Sequence, residues 1–262
     1  VAEQDPAVWI DAAARVIHIL CTIATPAGVG LTGQVPTLVL VDAGGAAVRP
    51  AMTWQDTRAT VEAERLAAEL GNSLPHLDID LPWSATQLPA KLAWIASHEP
   101  EHLRADVRSL QPRDFLGLRL TGKLATDAWS AKGIARVPSG EPAETVLAAA
   151  GWTSTVVPPV MSPGKSRGST SADALGLPAG IPVSVGWSDA LASMAAVGAM
   201  TAPTAFILTG TSDIVGMSAT AVAMADDGLF RIPSGSGTTA VLYGPTQSSG
   251  ASVAWSARLL GE

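Results

Sequence analysis

Cysteine is almost absent from this chain. Cys21 stands alone, which excludes an intrachain disulfide framework and a cysteine-rich metal site. A reducing, cytoplasmic compartment is the one that fits. Charge is sparse at 15% and acidic in balance, with a formal net charge of −7 and no run of Lys or Arg. That excludes a nucleic-acid-binding surface but leaves small anionic ligands open, because a local site can oppose the global charge. Histidine is scarce too: His18, His76, His98 and His102 lack ligand spacing, and Pro100 interrupts the last pair. No metal site is expected. The opening Val-Ala-Glu-Gln-Asp-Pro lacks the charged-then-apolar pattern of a signal peptide. Residues 190–212 contain no charge, yet Gly198, Pro203 and Gly210 break the run. A buried helix followed by a buried strand is predicted there, and no membrane span.

What is present suits a globular α/β protein. The 262 residues are 47% hydrophobic, ample for a core in one large domain or two smaller ones. Residues 5–23 have helical spacing, with Val8, Trp9, Ala12, Val16 and Leu20 along one side. Further helices are predicted at 57–70, ending at Gly71, at 90–97, and at 113–120, stopping at Thr121-Gly122. Strands at 29–33, 37–42 and 47–54, the last two joined by Ala43-Gly-Gly45, predict a mixed sheet. The stretch from 138 to 178 is loop-rich, with helical pieces at 144–150 and 171–175. Its Gly164-Lys165-Ser166 is no phosphate loop, because the glycine required five positions earlier is Pro159; a surface turn is predicted. Residues 205–212 and 214–217 read as a hairpin, and a domain boundary is placed near residue 200, dividing 1–200 from 201–262.

Three segments hold more polar groups than packing needs. In Val183-Ser-Val-Gly-Trp-Ser-Asp189 a strand and turn deliver a carboxylate to a sheet edge at the start of a helix. Ligand chemistry in open α/β sheets gathers at such edges. Asp189 can take a proton from a substrate hydroxyl, or it can cap the helix. In Gly30-Leu-Thr-Gly-Gln34 a strand end presents an amide, and Thr53-Trp-Gln-Asp-Thr-Arg58 joins an indole, a carboxylate and a guanidinium. A flat apolar face beside hydrogen-bonding groups suits a sugar or polyol. Alternatively, Asp56 or Thr57 caps the following helix while Trp54 fills the core. Finally, the turn Thr209-Gly210-Thr211-Ser212 can cradle phosphate with its backbone N–H groups, or simply close a hairpin.

The order and spacing of these pieces resemble the FGGY family of carbohydrate kinases. The matching motifs are Gly33-Gln34, Thr53-Trp-Gln-Asp-Thr-Arg58, Lys91-Leu-Ala-Trp94 leading to His98-Glu-Pro100, Gln111-Pro-Arg-Asp-Phe-Leu with Leu120-Thr-Gly122, and Ala125-Thr-Asp127. Leu177-Pro-Ala-Gly-Ile-Pro-Val183, Gly186-Trp-Ser-Asp189 and Gly210-Thr-Ser212 continue the series. The stretch from Lys91 to Asp127 is most similar to the xylulose-kinase branch. The resemblance implies an actin-like, ribonuclease-H-like fold with two domains and a cleft, using ATP and Mg²⁺ to phosphorylate a pentulose or related ketose or polyol. It implies Asp189 as the base, with Trp54 and Asp56 lining or supporting the sugar pocket. Gln34, Val35 and Pro36 would form a sugar-side wall, and Gly210, Thr211 and Ser212 would contact phosphate. The partner implied is a small sugar, with no nucleic acid or membrane; a homodimer is compatible with the sequence.

The sequence departs from the family pattern in identifiable places. It has no opening strand–turn–strand of the Asp-x-Gly-Thr type and stops at Glu262, before the adenosine motif. It is therefore expected to cover the middle half of such a kinase and not to turn over ATP by itself. Val35 and Pro36 stand where the family places polar groups, and Ala190 where Asn or Gln is frequent. Each lost hydrogen bond weakens sugar recognition by about 0.5–1.5 kcal/mol. The alternative from another class is a non-catalytic remnant that binds a sugar or a partner chain.

Overall fold

The computed structural model describes all residues except 75–80, 138, 173, 211, 220–228, 233–239, 247 and 262. Its described residues divide into two compact units, the first running to Ser188 without Leu81 and the second comprising Leu81 and the chain from Asp189 onward; the boundary expected from the sequence lies near residue 200. In the first unit, β1 (Glu3–Gln4) leads into α1 (Pro6–Cys21), followed by β2 (Thr32–Gly33), β3 (Val39–Val41) and β4 (Ala51–Met52). Next come α2 (Thr60–Leu70), α3 (Leu88–His98), β5 (Arg108–Leu110), α4 (Pro112–Thr121) and α5 (Glu144–Ala149). Three strands close the unit: β6 (Ser166–Ser169), β7 (Pro182–Ser184) and β8 (Trp187–Ser188).

Local chemistry explains the helix ends. Asp5 caps α1 by accepting the Ala7 N–H at 2.9 Å, and Pro6 occupies the first turn, where a missing N–H costs nothing. The Asp114 carboxylate accepts the Gln111 N–H at the start of α4 (3.2 Å), and Gly122 ends that helix in the left-handed region at φ 66°. The buried face of α1 includes Trp9 of the expected stripe but not Val8, Val16 or Leu20. Trp9 and Ile10 pack against Val39, Val41 and Phe115, and Ile17 and Cys21 against Leu120 and Val183. Val8, Val16 and Leu20 are 59%, 54% and 54% exposed. The helix is apolar on most sides, so periodicity alone does not choose between neighbouring stripes.

The predicted mixture of pairings is observed. β3 runs antiparallel to β5, and β4 runs antiparallel to β1, with Leu38 bridging to Met52. β2 runs parallel to β8, Thr32 opposite Trp187 and Gly33 opposite Ser188, while Val29 bridges Val183. β6 pairs antiparallel with β7. The residues expected to form a turn do so, Lys165 N–H donating to Ser162 O at 3.0 Å. No helix forms among the described residues of 171–175, because Leu175 takes φ +55°, outside the right-handed helical region. Beneath the strands a core cluster gathers Leu38, Leu40, Met52, Leu92 and Ile95.

Gly186, between β7 and β8, sits at φ +83°, and a Cβ there would lie 2.2 Å from Leu31 O. Gly186→Ala is expected to cost about 2–4 kcal/mol of unfolding free energy in urea titration. A loss below about 0.5 kcal/mol would mean that the β2–β8 pairing tolerates a side chain at this point.

The second unit starts with α6 (Asp189–Ala196) and continues with β9 (Ala205–Leu208), β10 (Ile214–Ala219), β11 (Phe230–Ile232), β12 (Ala240–Pro245) and α7 (Gly250–Leu260). The strands form one antiparallel sheet in the order β11-β12-β10-β9. β9 and β10 are the expected hairpin, with Leu208 opposite Ile214. The uncharged run beginning at Ala190 is divided between α6 and this hairpin, and no helix among the described residues is long and apolar enough to cross a membrane.

Candidate active site

The segment after β2 is fastened on several sides. Gln34 is half-buried, and its Nε2 donates to Gln4 Oε1 at 3.2 Å, an acceptor it shares with Trp9 Nε1. Val35 and Pro36 are half-buried and joined by a cis peptide bond. The Thr37 N–H donates to Gln111 Oε1 (2.8 Å), and Gln111 Nε2 donates to Ser130 O (3.0 Å), so the start of α4 anchors the segment.

The residues after β4 are equally constrained. Thr53 donates through both its N–H and its hydroxyl to Ala2 O, at 3.0 and 3.1 Å. Trp54 is half-buried. Asp56 is fully buried and both its oxygens are engaged. Oδ1 accepts from Arg58 N and Nε, and Oδ2 from Ala2 N (2.7 Å) and Arg58 NH2 (2.7 Å). Burial alone would push this carboxyl up, but the hydrogen bonds from Arg58 and Ala2 outweigh it and hold the pKa below the usual carboxylate range. Arg58 also pairs with Glu3 at 2.9 Å and lies 4.8 Å over the ring of Trp94. Asp56 thus braces the β4–α2 connection, both its oxygens being taken by Ala2 and Arg58.

Lys91 was met in the sequence only as part of a motif, and nothing local marked its surroundings. Its side chain is 0% exposed, and Nζ donates to Thr53 O at 2.7 Å, Pro36 O at 2.8 Å and Met52 O at 3.3 Å. Below Gly33 lies a second group that sequence reading did not assemble. Arg113, whose Cβ is 3.4 Å from where a Gly33 Cβ would be, pairs with Asp127 and, at 3.3 Å, with Asp114. Arg167 lies 3.7 Å from the same Asp114 oxygen. All four side chains are buried.

Asp189 is the residue after Ser188 and the first of α6; its side chain is exposed. Its Oδ1 accepts the N–H of the adjacent Ala190 at 2.7 Å. A capping side chain bonds the N–H two or three positions on, so this contact is not that of an ordinary cap. The protein mass around Asp189 disfavours the charged form and pushes its pKa up, against the hydrogen bond from Ala190. In the second unit, Gly210 is exposed and Ser212 half-buried between β9 and β10; Thr211 lies outside the described residues. Gly250 N–H donates to Gly210 O at 3.1 Å, and Ser249 Oγ to Asp213 Oδ2 at 2.6 Å, bracing that turn.

Comparison with known proteins extends this picture. Residues 1–198 match the FGGY family of carbohydrate kinases, N-terminal domain. The chain is 36% identical to the xylulose kinase of Streptomyces coelicolor over 203 residues, 75% of this chain and 42% of that protein. It is 30% identical to the xylulose kinase of Escherichia coli over 221 residues, 81% and 45% of the two. The crystal structure of xylulose kinase from Rhodospirillum rubrum superimposes with a TM-score of 0.84 at 28% identity, covering 99% of this chain and 55% of that one. The chain thus spans about half the length of the relatives it matches, and its fold is the actin-like kinase fold expected from the ordered motifs. By the match over residues 1–198, this chain belongs to the FGGY family of carbohydrate kinases.

Proposed function

We propose that this chain is the sugar-binding portion of an ATP-dependent kinase that phosphorylates a hydroxyl of a pentulose or related ketose, similar to xylulose kinases. The reading rests on one observation beside the family match. Gly33 and Ser188 are opposite one another at the ends of parallel strands, and the chain continues from them into Gln34 and Asp189. Ligand sites in open α/β sheets form at such strand ends. Gln34, Val35, Pro36 and Trp54 would offer the sugar an apolar wall with an amide at its edge. Asp56 would keep the Trp54 segment in place. Asp189 would accept the proton of the attacking hydroxyl, and Gly210 to Ser212 would donate hydrogen bonds to phosphate. ATP, with Mg²⁺ neutralising its charge, would supply the transferred phosphoryl group.

A thermal-shift screen of pentuloses, hexuloses and polyols on the complete gene product, followed by sugar-dependent ADP release, tests the assignment. A ketose that both stabilises the protein and drives ADP release is expected. Stabilisation by a ketose without any ADP release would instead favour a non-catalytic sugar-binding remnant.

A further inference from the structure

Lys91 is a buried cation that the proposed reaction does not use. It lies in the first turns of α3 with no exposed surface, and among the described residues no carboxylate lies within ion-pair distance of it. Asp56, the carboxylate acting on it through space, already has both oxygens engaged by Arg58 and Ala2. An ammonium has three donors and no acceptor, and here the acceptors are three backbone carbonyls: Pro36, Met52 and Thr53. Burying a charge without a counter-charge is costly, and an apolar side chain of similar length would pack α3 more cheaply. What the ammonium adds is a tie that continues beyond the Leu38–Met52 bridge, joining Pro36 to Thr53, for which no backbone hydrogen bond between the two segments is seen among the described residues. One carries Gln34, Val35 and Pro36; the other leads directly into Trp54.

We infer that Lys91 is a positioning residue for the sugar, its ammonium holding the 34–36 segment and the 52–54 segment at the spacing the substrate requires. The inference rests on the sugar-kinase reading above. Lys91 touches no reacting atom; it acts through the carbonyls it binds. Burial pushes its pKa down to about 7, with Asp56 opposing and Arg58 reinforcing that shift. Loss of the proton leaves two N–H donors for three carbonyls and turns a lone pair toward one of them. The tie therefore slackens as pH rises through neutrality.

The test uses the complete gene product with xylulose and ATP as probes. Lys91→Met is expected to raise KM for the sugar about tenfold while KM for ATP stays within about twofold. In the wild type, KM for the sugar should rise between about pH 6.5 and 8.5, and Lys91→Met should flatten that rise. Leu92→Ala, an adjacent and equally buried change on α3, controls for lost stability. It should lower the melting temperature without altering the ratio of the two KM values. Equal KM ratios in the two variants, or a wild-type KM flat over that pH range, would overturn the inference; the wild-type profile decides if Lys91→Met does not fold. A wild type that neither binds nor phosphorylates a ketose sinks the kinase reading and this inference together. Normal wild-type turnover with an unaltered KM in Lys91→Met sinks the inference alone.

Discussion

Asp189→Asn, made in the complete gene product, should lower kcat for sugar phosphorylation by about 10²–10⁴-fold, the range supplied by general-base catalysis. The amide is isosteric and its oxygen can still accept the Ala190 N–H, so α6 should start where it does now. Sugar binding, followed by thermal shift or calorimetry, should be retained. The separation of binding from turnover matters because Asp189 has two readings. A residue that only organised the helix would leave kcat nearly intact once its hydrogen bond was preserved. Unchanged turnover in Asp189→Asn would therefore remove it from the base position. The pH profile offers a second check. A base works only when deprotonated, and the protein around Asp189 pushes its pKa above the ordinary 3.8. The acid limb of kcat should thus lie above the ordinary carboxylate value, turnover falling as pH drops through it, and the residual activity of Asp189→Asn should lack that limb.

The second large effect is on stability. Asp127→Ala would leave the Arg113 guanidinium buried with a single acidic neighbour, Asp114, whose charge is also offset by Arg167. Arg113 Nε and NH1 already lack a hydrogen-bond partner among the described residues, so nothing in the cluster is placed to replace the lost acceptor. Asp127 Oδ1 also accepts the N–H groups of Trp129 (3.0 Å) and Ser130 (3.2 Å), which the substitution would strand. Removing one partner of a buried pair costs about 3–5 kcal/mol. Urea denaturation should report a loss of that size. Arg113→Met combined with Asp127→Asn should recover a large part of it, because the uncompensated charge is then gone while the amide still caps the turn. A loss under about 1 kcal/mol for Asp127→Ala would show that the charge is compensated elsewhere.

Much of the architecture was legible because its causes are local. The Asp5-Pro6 start of α1, the Gly71 and Gly122 helix stops and the β9–β10 hairpin follow from capping, glycine conformation and turn chemistry within a few residues. The family was legible for a different reason: a series of short motifs kept their order across the chain. The buried face of α1 was not, since Val8 and Ile10, or Leu20 and Cys21, are equally apolar and only the strands beneath select between them. For Asp56 the sequence allows a cap, or lining or support of a sugar pocket; the contacts of its oxygens with Ala2 and Arg58, one of them far off in sequence, exist only in the folded chain.

Residue order alone determined α1 to α5, the hairpin, the mixed pairing and the kinase family, each written in spacings of a few positions or in motif succession; it did not determine α7, and the helical piece expected at 171–175 does not form among the described residues. Tertiary structure decided which polar groups are spoken for. Lys91 meets carbonyls 38 to 55 positions away, and Arg113 meets Asp127 across 14. Such partners are chosen by how strands and helices stack, and burial, which makes each pairing obligatory, exists only once the chain has closed around them.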